Sequence, residues 1–213
     1  EDGPCMGFAA GVMSAAAVFS MILPAMRQNE GGWLIVTLGF MLGAAMIAGV
    51  DALMCRVRRI QNASDSARKR LMMVAAITLH NIPEGMAVGL AFALAGVQGG
   101  LAAAAVLALG IGVQNLPEGL AVALPFRASG LSRGKSFALG ALSGAVEPVF
   151  GMLAALMMGA AQSALPGMMA FCAGAMMQVV FAEMIPQAAK TRAGVAGVMA
   201  GYTLMMALDL ALG

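Results

Sequence analysis

The sequence is poor in charged and aromatic residues. Of its 213 residues, 10% are charged and 5% are aromatic, while 61% are hydrophobic. An ordinary soluble domain carries about one quarter charged residues, so this composition excludes a water-soluble globule. Glycine, alanine and methionine are abundant instead, and small residues allow helices to approach closely in lipid. The composition therefore predicts a tightly packed helix bundle in a membrane.

Cysteine and histidine are also scarce. Cys5, Cys55 and Cys172 lie in unrelated segments without CxxC spacing, so we interpret them as packing thiols. The chain opens with the acidic stretch EDGPC, and no secretory signal peptide is expected.

Apolar stretches divide the chain into seven predicted spans. A helix needs about 20 apolar residues to cross a hydrocarbon core of about 30 Å. The spans lie at about 6–26, 31–55, 71–96, 101–126, 136–160, 165–187 and 194–213. We therefore expect an all-α fold, a polytopic transmembrane helix bundle, in a single domain over 1–213 with a loop at about 56–70.

Basic residues predict the orientation. Eleven of the twelve lie on one side of the seven spans, and only Arg27 lies on the other. Because basic loops stay in the cytoplasm, loops 56–70, 127–135 and 188–193 are expected there. Residue 1 is then cytoplasmic and the C-terminus is outside, in a multi-pass protein of the inner (plasma) membrane. An odd number of spans is natural if a further helix precedes Glu1.

A nine-residue motif occurs twice. His80-Asn81-Ile82-Pro83-Glu84-Gly85-Met86-Ala87-Val88 recurs as Gln114-Asn115-Leu116-Pro117-Glu118-Gly119-Leu120-Ala121-Val122. The copies lie on neighbouring spans that must run antiparallel, so the repeat is inverted in space. Each proline removes a backbone donor and kinks its helix. Paired interrupted helices of this kind indicate a transporter binding site.

Acidic residues within the apolar spans need compensation. They are Asp51, Glu84, Glu118, Glu147, Glu183 and Asp209. An ionised carboxylate at a helix centre costs about 2.5 to 3.5 kcal/mol. No Lys or Arg lies inside a span, which leaves protons or metal ions to neutralise them. Helical rise places Glu84, Glu118 and Glu147 at similar depth, so the three carboxylates are expected to converge.

The remaining acids have less specific interpretations. Asp51 and Glu183 lie about 6 Å inside the cytoplasmic edge, where interfacial solvation and a role in ion exit are both open. Asp209 lies near the outer end of the last span, and we interpret it as interfacial.

The donors in the repeated motif favour a borderline divalent metal, with zinc leading. His80, the chain's only histidine, lies one turn from Glu84, and Gln114 lies one turn from Glu118. Imidazole suits zinc, copper, iron and nickel, while carboxylate and carbonyl oxygens suit harder ions. Our hypothesis is that Glu84 and Glu118 bridge two ions.

The doubled motif, with Glu147 on the following span, closely resembles the ZIP (Zrt-/Irt-like) family of metal transporters, of prokaryotic type. The resemblance implies uptake of zinc, or of cadmium, iron or manganese, into the cytoplasm through a binuclear site. By position, it implies one metal site formed by His80, Glu84, Gln114 and Glu118. It implies a second site formed by Asn81, Asn115 and Glu147, with Glu84 and Glu118 shared. Met13 matches a further ligand, and Ser20, Asp51 and Glu183 match residues of the inner pathway.

The chain departs from this family in three features. The family has eight spans and seven are found here, so the first helix is expected to be absent from this chain. The loop at 56–70 has no histidine, and Gln114 replaces a histidine found in many eukaryotic members.

The expected mechanism is alternating access, in which one group of helices moves against another. Divalent ions and the lipid bilayer are the expected partners, with homodimerisation left open and no nucleic acid. An enzyme is not expected. An intramembrane metalloprotease is one alternative, but a typical zinc hydrolase of this kind shows HExxH, and the chain has one histidine. A proton-coupled carrier of an organic substrate is the other.

Overall fold

The computed structural model describes residues 3–28, 32–60, 66–160 and 162–212, and these are helical apart from short connections. The helices are α1 (Gly3–Ala16), α2 (Leu23–Gln28), α3 (Trp33–Ile60), α4 (Ser66–Gln98), α5 (Leu101–Ala128), α6 (Arg133–Gly144), α7 (Val146–Ala160), α8 (Leu165–Val179), α9 (Ile185–Ala188) and α10 (Arg192–Leu212). A π-helical segment, Ala17–Ile22, joins α1 to α2, and a second, Val180–Met184, joins α8 to α9. A short 3-10 helix, Gln162–Ala164, precedes α8. The all-α class is confirmed for this part of the chain.

Several helices are long and apolar enough to cross a membrane. In the described residues there are five: Gly3–Gln28, Trp33–Leu53, Arg133–Met157, Leu165–Ala188 and Arg192–Ala211. The helices that carry the repeated motif, α4 and α5, are not among them, and α5 contributes a shorter apolar stretch, Leu101–Val113. A polytopic membrane protein is therefore supported, while the number of seven crossings stays a prediction.

Two predicted boundaries differ from the structure. The loop expected at about 56–70 is largely helical, because α3 continues to Ile60 and α4 begins at Ser66, with 61–65 outside the described residues. A helix can extend beyond the bilayer where its polar side chains meet water. The span predicted at 136–160 is interrupted at Ala145, between α6 and α7. Pro148 explains the interruption, because it cannot donate to the carbonyl of Gly144.

The bundle is assembled from helix pairs that meet at glycines. The pairs are α1 with α10, α3 with α8, α4 with α7, and α5 with α6. A Cβ at Gly11 would collide with the carbonyl of Val198, and one at Gly43 with the carbonyl of Phe171. With backbones this close, the helices cannot shift without breaking many van der Waals contacts. Each pair is therefore held rigidly.

Contacts between different pairs are softer. The α1 helix also packs on α5, and α4 packs on α8. At Gly110 of α5, the nearest atoms belong to the side chain of Met205 in α10, with Val12 of α1 beside it. Methionine has flexible torsions and adapts to its surroundings. The bundle thus has rigid glycine contacts within pairs and, at Gly110, a deformable contact between them.

Candidate metal site

The two motif helices lie side by side in the bundle. The α4 and α5 helices pack together and are joined by Gly99 and Gly100, whose φ angles are 84° and 92°. These left-handed conformations favour glycine, which has no Cβ to clash with the backbone. The tight connection makes α4 and α5 antiparallel, so the two motif copies run in opposite directions.

Asn115 and Glu147 make the most direct contact in the site. The Nδ2 atom of Asn115 donates to both carboxylate oxygens of Glu147, each at 2.7 Å. Hydrogen bonds to charged groups contribute about 1.5 to 3 kcal/mol. This contact joins the second motif copy on α5 to α7, and it brings together two predicted ligands that are 32 residues apart in the sequence.

Glu84, an acid in the motif of α4, is completely buried, with no solvent exposure. Its neighbour Gly85 lies against the backbone of Glu147, where a Cβ would overlap the Cα, carbonyl carbon and oxygen of that residue. One turn along, Gly89 meets Gly151 in the same way. These glycines bring α4 against the first turn of α7, so Glu84 and Glu147 are carried on directly contacting backbones.

Asn81 links α4 to the interruption between α6 and α7. Its side chain is 3% exposed, and its Nδ2 atom donates to the carbonyl of Ser143 at 3.1 Å. The interruption places Glu147 in the first turn of α7. Asn81 therefore stabilises the backbone just before Glu147, a role that its predicted function as a ligand did not include.

Two amide oxygens in the site lack partners. Among the described residues, Oδ1 of Asn81 and Oδ1 of Asn115 are buried and accept no hydrogen bond. A buried polar atom without a partner costs about 1 to 3 kcal/mol. In both residues the amide nitrogen is engaged by protein, which leaves the oxygen as a free donor atom for a cation. A cavity of about 320 Å³ is lined by both asparagines.

The structure describes less of the other predicted ligands. The side chains of His80, Gln114 and Glu118 lie outside the described residues, although their backbones belong to α4 and α5. In the described part of the chain, no three His, Cys, Asp or Glu side chains form a group able to hold a metal. Met13 is buried in the core at 1% exposure, on α1, which packs on α5. Its role as a ligand stays a prediction.

A second polar contact, between Ser20 and Asp209, was not anticipated. The Ser20 hydroxyl donates to Oδ1 of Asp209 at 2.8 Å, and Oδ2 of Asp209 is buried without a partner among the described residues. Asp209 is only 9% exposed, and its interpretation as an interfacial residue stays a prediction. The two residues are 189 apart in the sequence. The signal for them in the sequence is that each is a polar residue among apolar neighbours.

Ser20 and Asp209 line a cavity of about 270 Å³ that also contacts Gly99, Gly100 and Met169. Met169 lies near the start of α8, and Glu183 lies about 21 Å further along the chain, in the π-helical segment that follows α8. Ser20 and Glu183 are therefore at opposite ends of the bundle. That both line one inner pathway stays a prediction of the resemblance, and this separation favours different parts of a pathway for the two residues.

Asp51 and Glu183 are half-buried. Asp51 lies on α3, and Glu183 lies within the π-helical segment that precedes α9. π-Helical turns are rare and are frequent at functional sites. Their position on an ion pathway stays a prediction.

Comparison with known proteins matches the chain to zinc transporters. A family model described as ZIP zinc transporter matches residues 58–209. The chain is 36% identical over 226 residues to zinc transporter GufA of Myxococcus xanthus, across 100% of this chain and 87% of that protein. It is 36% identical over 225 residues to zinc transporter ZIPB of Bordetella bronchiseptica, across 98% and 71% of the two chains. It is 40% identical over 160 residues to zinc transporter ZIP11 of Homo sapiens, across 72% and 46%.

Proposed function

The chain belongs to the ZIP family of zinc transporters, which are multi-pass membrane proteins, and we propose that it imports Zn²⁺ into the cytoplasm through a binuclear site between α4, α5 and α7. The relatives are transporters and not enzymes, which disfavours the metalloprotease alternative. The observation that carries the proposal is the contact of Asn115 with Glu147 beside the buried Glu84.

The proposed donors divide into two sites. His80, Glu84, Gln114 and Glu118 hold the first ion. Asn81, Asn115 and Glu147 hold the second, and Glu84 and Glu118 bridge the two. The unpartnered amide oxygens of Asn81 and Asn115 support the second site, because oxygen donors in a buried setting favour a cation. Met13 adds a soft donor from α1.

Zinc is the proposed substrate, with cadmium, iron and manganese as candidates for the same site. Mixed nitrogen and oxygen ligands suit a borderline divalent ion. Two positive ions would offset the desolvation of buried carboxylates, because the Lys and Arg residues lie only at or beyond the ends of the predicted spans. This electrostatic argument also disfavours a carrier of organic substrates in which the acids only bind protons.

Alternating access is the proposed mechanism. The α4 to α7 helices form one group, held by the glycine contacts of Gly85 with Glu147 and of Gly140 with Gly119. The second group contains α1, α3, α8 and α10, and the methionine contact at Gly110 lies between the groups. Because backbone contacts resist sliding and methionine side chains adapt, motion between the groups is easier than motion within them. Ser20 and Asp209 then lie on the outer part of the path, with Asp51 and Glu183 on the inner part.

The remaining assignments complete the proposal. The chain is a single domain of seven spans with an inverted repeat, in the inner (plasma) membrane. Loops 56–70, 127–135 and 188–193 are cytoplasmic and the C-terminus is outside, as the basic residues indicate. A homodimer is compatible with this arrangement.

Zinc flux into proteoliposomes tests the proposal. Purified wild-type protein should transport Zn²⁺, and Glu84→Ala or Glu147→Gln should reduce the rate to the level of empty vesicles. Gln98→Ala is the control, because it removes an exposed amide at the end of α4, away from the proposed donors. Zinc flux that persists in both acidic variants would refute the proposed site. Absence of zinc flux in the wild-type protein would refute the function.

A further inference from the structure

Gly144 lies between two of the proposed donors. A Cβ at this position would be 3.3 Å from Oε1 of Glu147 and 3.9 Å from Nδ2 of Asn81. Gly144 also lines the cavity of about 320 Å³ beside Asn81 and Asn115. The missing side chain therefore leaves a small space next to Oε1 of Glu147 and beside Asn81.

Gly144 and Asn115 are both neighbours of the Glu147 carboxylate. Asn115 donates to both of its oxygens at 2.7 Å. A Cβ at Gly144 would lie 3.3 Å from Oε1, which is tighter than an ordinary van der Waals contact. Because Gly144 has no side chain, Oε1 keeps room to move toward that position when an ion binds.

We propose that Gly144 is a positioning residue whose missing side chain determines how large a divalent ion Glu147, Asn81 and Asn115 accept. The inference rests on the proposed function and adds ion selectivity to it. Gly144 touches no ion and acts through the position of Glu147.

The difference in metal–oxygen bond length between the ions is similar in size to the carboxylate shift that a Cβ at Gly144 would cause. Zinc binds carboxylate oxygens at about 2.0 to 2.2 Å, whereas a larger divalent ion such as calcium needs about 2.3 to 2.6 Å. Cadmium, a soft ion of nearly the same radius as calcium, needs a similar few tenths of an ångström more than zinc. A Cβ only 3.3 Å from Oε1 of Glu147 forces the carboxylate to shift by a few tenths of an ångström in the opposite direction. Gly144→Ala should therefore disfavour Cd²⁺ more strongly than Zn²⁺.

The experiment measures binding of each ion alone by titration calorimetry with the purified full chain. The variants are wild type, Gly144→Ala and Gly49→Ala. Gly49 is the matched control, because a Cβ there would meet no atom within 4 Å. In Gly144→Ala, we expect the ratio of the Kd for Cd²⁺ to the Kd for Zn²⁺ to rise about tenfold, which is about 1.4 kcal/mol. In Gly49→Ala the ratio should equal that of wild type.

The outcomes separate the inference from the proposed function. An unchanged ratio in Gly144→Ala, with Zn²⁺ still bound, overturns the inference alone. Equal weakening of both ions also overturns it, because a structural defect would act on both alike. Wild-type protein that binds neither ion removes the proposed function.

Discussion

Replacing Gly85 by alanine should separate α4 from α7 and abolish transport without melting either helix. The Cβ of the new residue would lie 2.5 Å from the Cα of Glu147 and 2.7 Å from its carbonyl carbon. Ordinary van der Waals contacts begin at 3.4 Å, and the carbonyl oxygen of Glu147 lies closer still, so the backbone of Glu147 must retreat by at least about 0.9 Å. Backbone atoms of a packed helix cannot rotate away as a flexible side chain can.

Two opposing effects determine how much Gly85→Ala changes the stability of the protein. Alanine gains about 1 kcal/mol of helix propensity over glycine, whereas overpacking a well-packed core costs about 1 to 3 kcal/mol. We expect a net loss of stability of up to about 2 kcal/mol. The functional effect is larger, because a functional site tolerates displacements of only about 0.5 Å. A shift of about 1 Å in a positioned group can cost a factor of about 100.

Thermal unfolding and Zn²⁺ flux into proteoliposomes measure the two effects. Gly96→Ala is the matched control in the same helix, since a Cβ at Gly96 meets no atom within 4 Å. It should gain the propensity and transport normally. Gly85→Ala that transports zinc at the wild-type rate with an unchanged melting temperature would show that α4 and α7 are not fixed by this contact.

Three further predictions follow from the packing and the polar contacts. Asn115→Ala removes both hydrogen bonds to Glu147 and should weaken Zn²⁺ binding in calorimetry by about tenfold or more, since bonds to charged groups contribute about 1.5 to 3 kcal/mol; unchanged binding would contradict its role. Asp209→Asn keeps an acceptor for Ser20 but removes the charge, so the zinc concentration for half-maximal flux should rise about threefold at low salt, where an attractive charge acts most strongly. An increase that is equally large at 1 M salt would exclude an electrostatic role. In Gly43→Ala the new Cβ would overlap the backbone of Phe171, so the melting temperature should fall. The calorimetric Kd for zinc should stay unchanged. Weaker zinc binding would instead show that this helix contact affects the metal site.

The fold class and the pair of helices that carries the repeated motif could be predicted from the sequence, because each depends on local information. Long apolar runs define helices in a membrane, and the repeated motif identifies α4 and α5. The interruption at Ala145 was missed, although Pro148 is visible in the sequence. A proline in a membrane helix is often accommodated by neighbouring groups. At this interruption Asn81, which is 62 residues away from Ser143, donates to the carbonyl of Ser143.

Side-chain partners were harder to predict than positions along a helix. Helical spacing correctly indicates that Asn81 and Glu84 share a face of α4, but it carries no information about which residue of another helix each will meet. Ser20 and Asp209 illustrate this, because neither belongs to a motif and their contact was not anticipated. Contacts between distant segments depend on how the helices pack, and the sequence contains no local signal for them.

The two π-helical segments reveal a second internal similarity that sequence inspection passed over. Val18-Phe19-Ser20-Met21-Ile22-Leu23-Pro24 resembles Val180-Phe181-Ala182-Glu183-Met184-Ile185-Pro186, and in each the residue before the proline donates to the carbonyl of the valine five positions back. These segments lie in α1–α2 and α8–α9, outside the motif helices. One contains Ser20 beside Asp209, and the other contains Glu183 at the opposite end of the bundle. A π-helical turn rotates the following side chains relative to an α-helix and often occurs at functional positions. Each π-helical segment therefore carries one polar side chain, Ser20 in the first and Glu183 in the second. In the proposed mechanism these two side chains would lie on the outer and the inner part of the path.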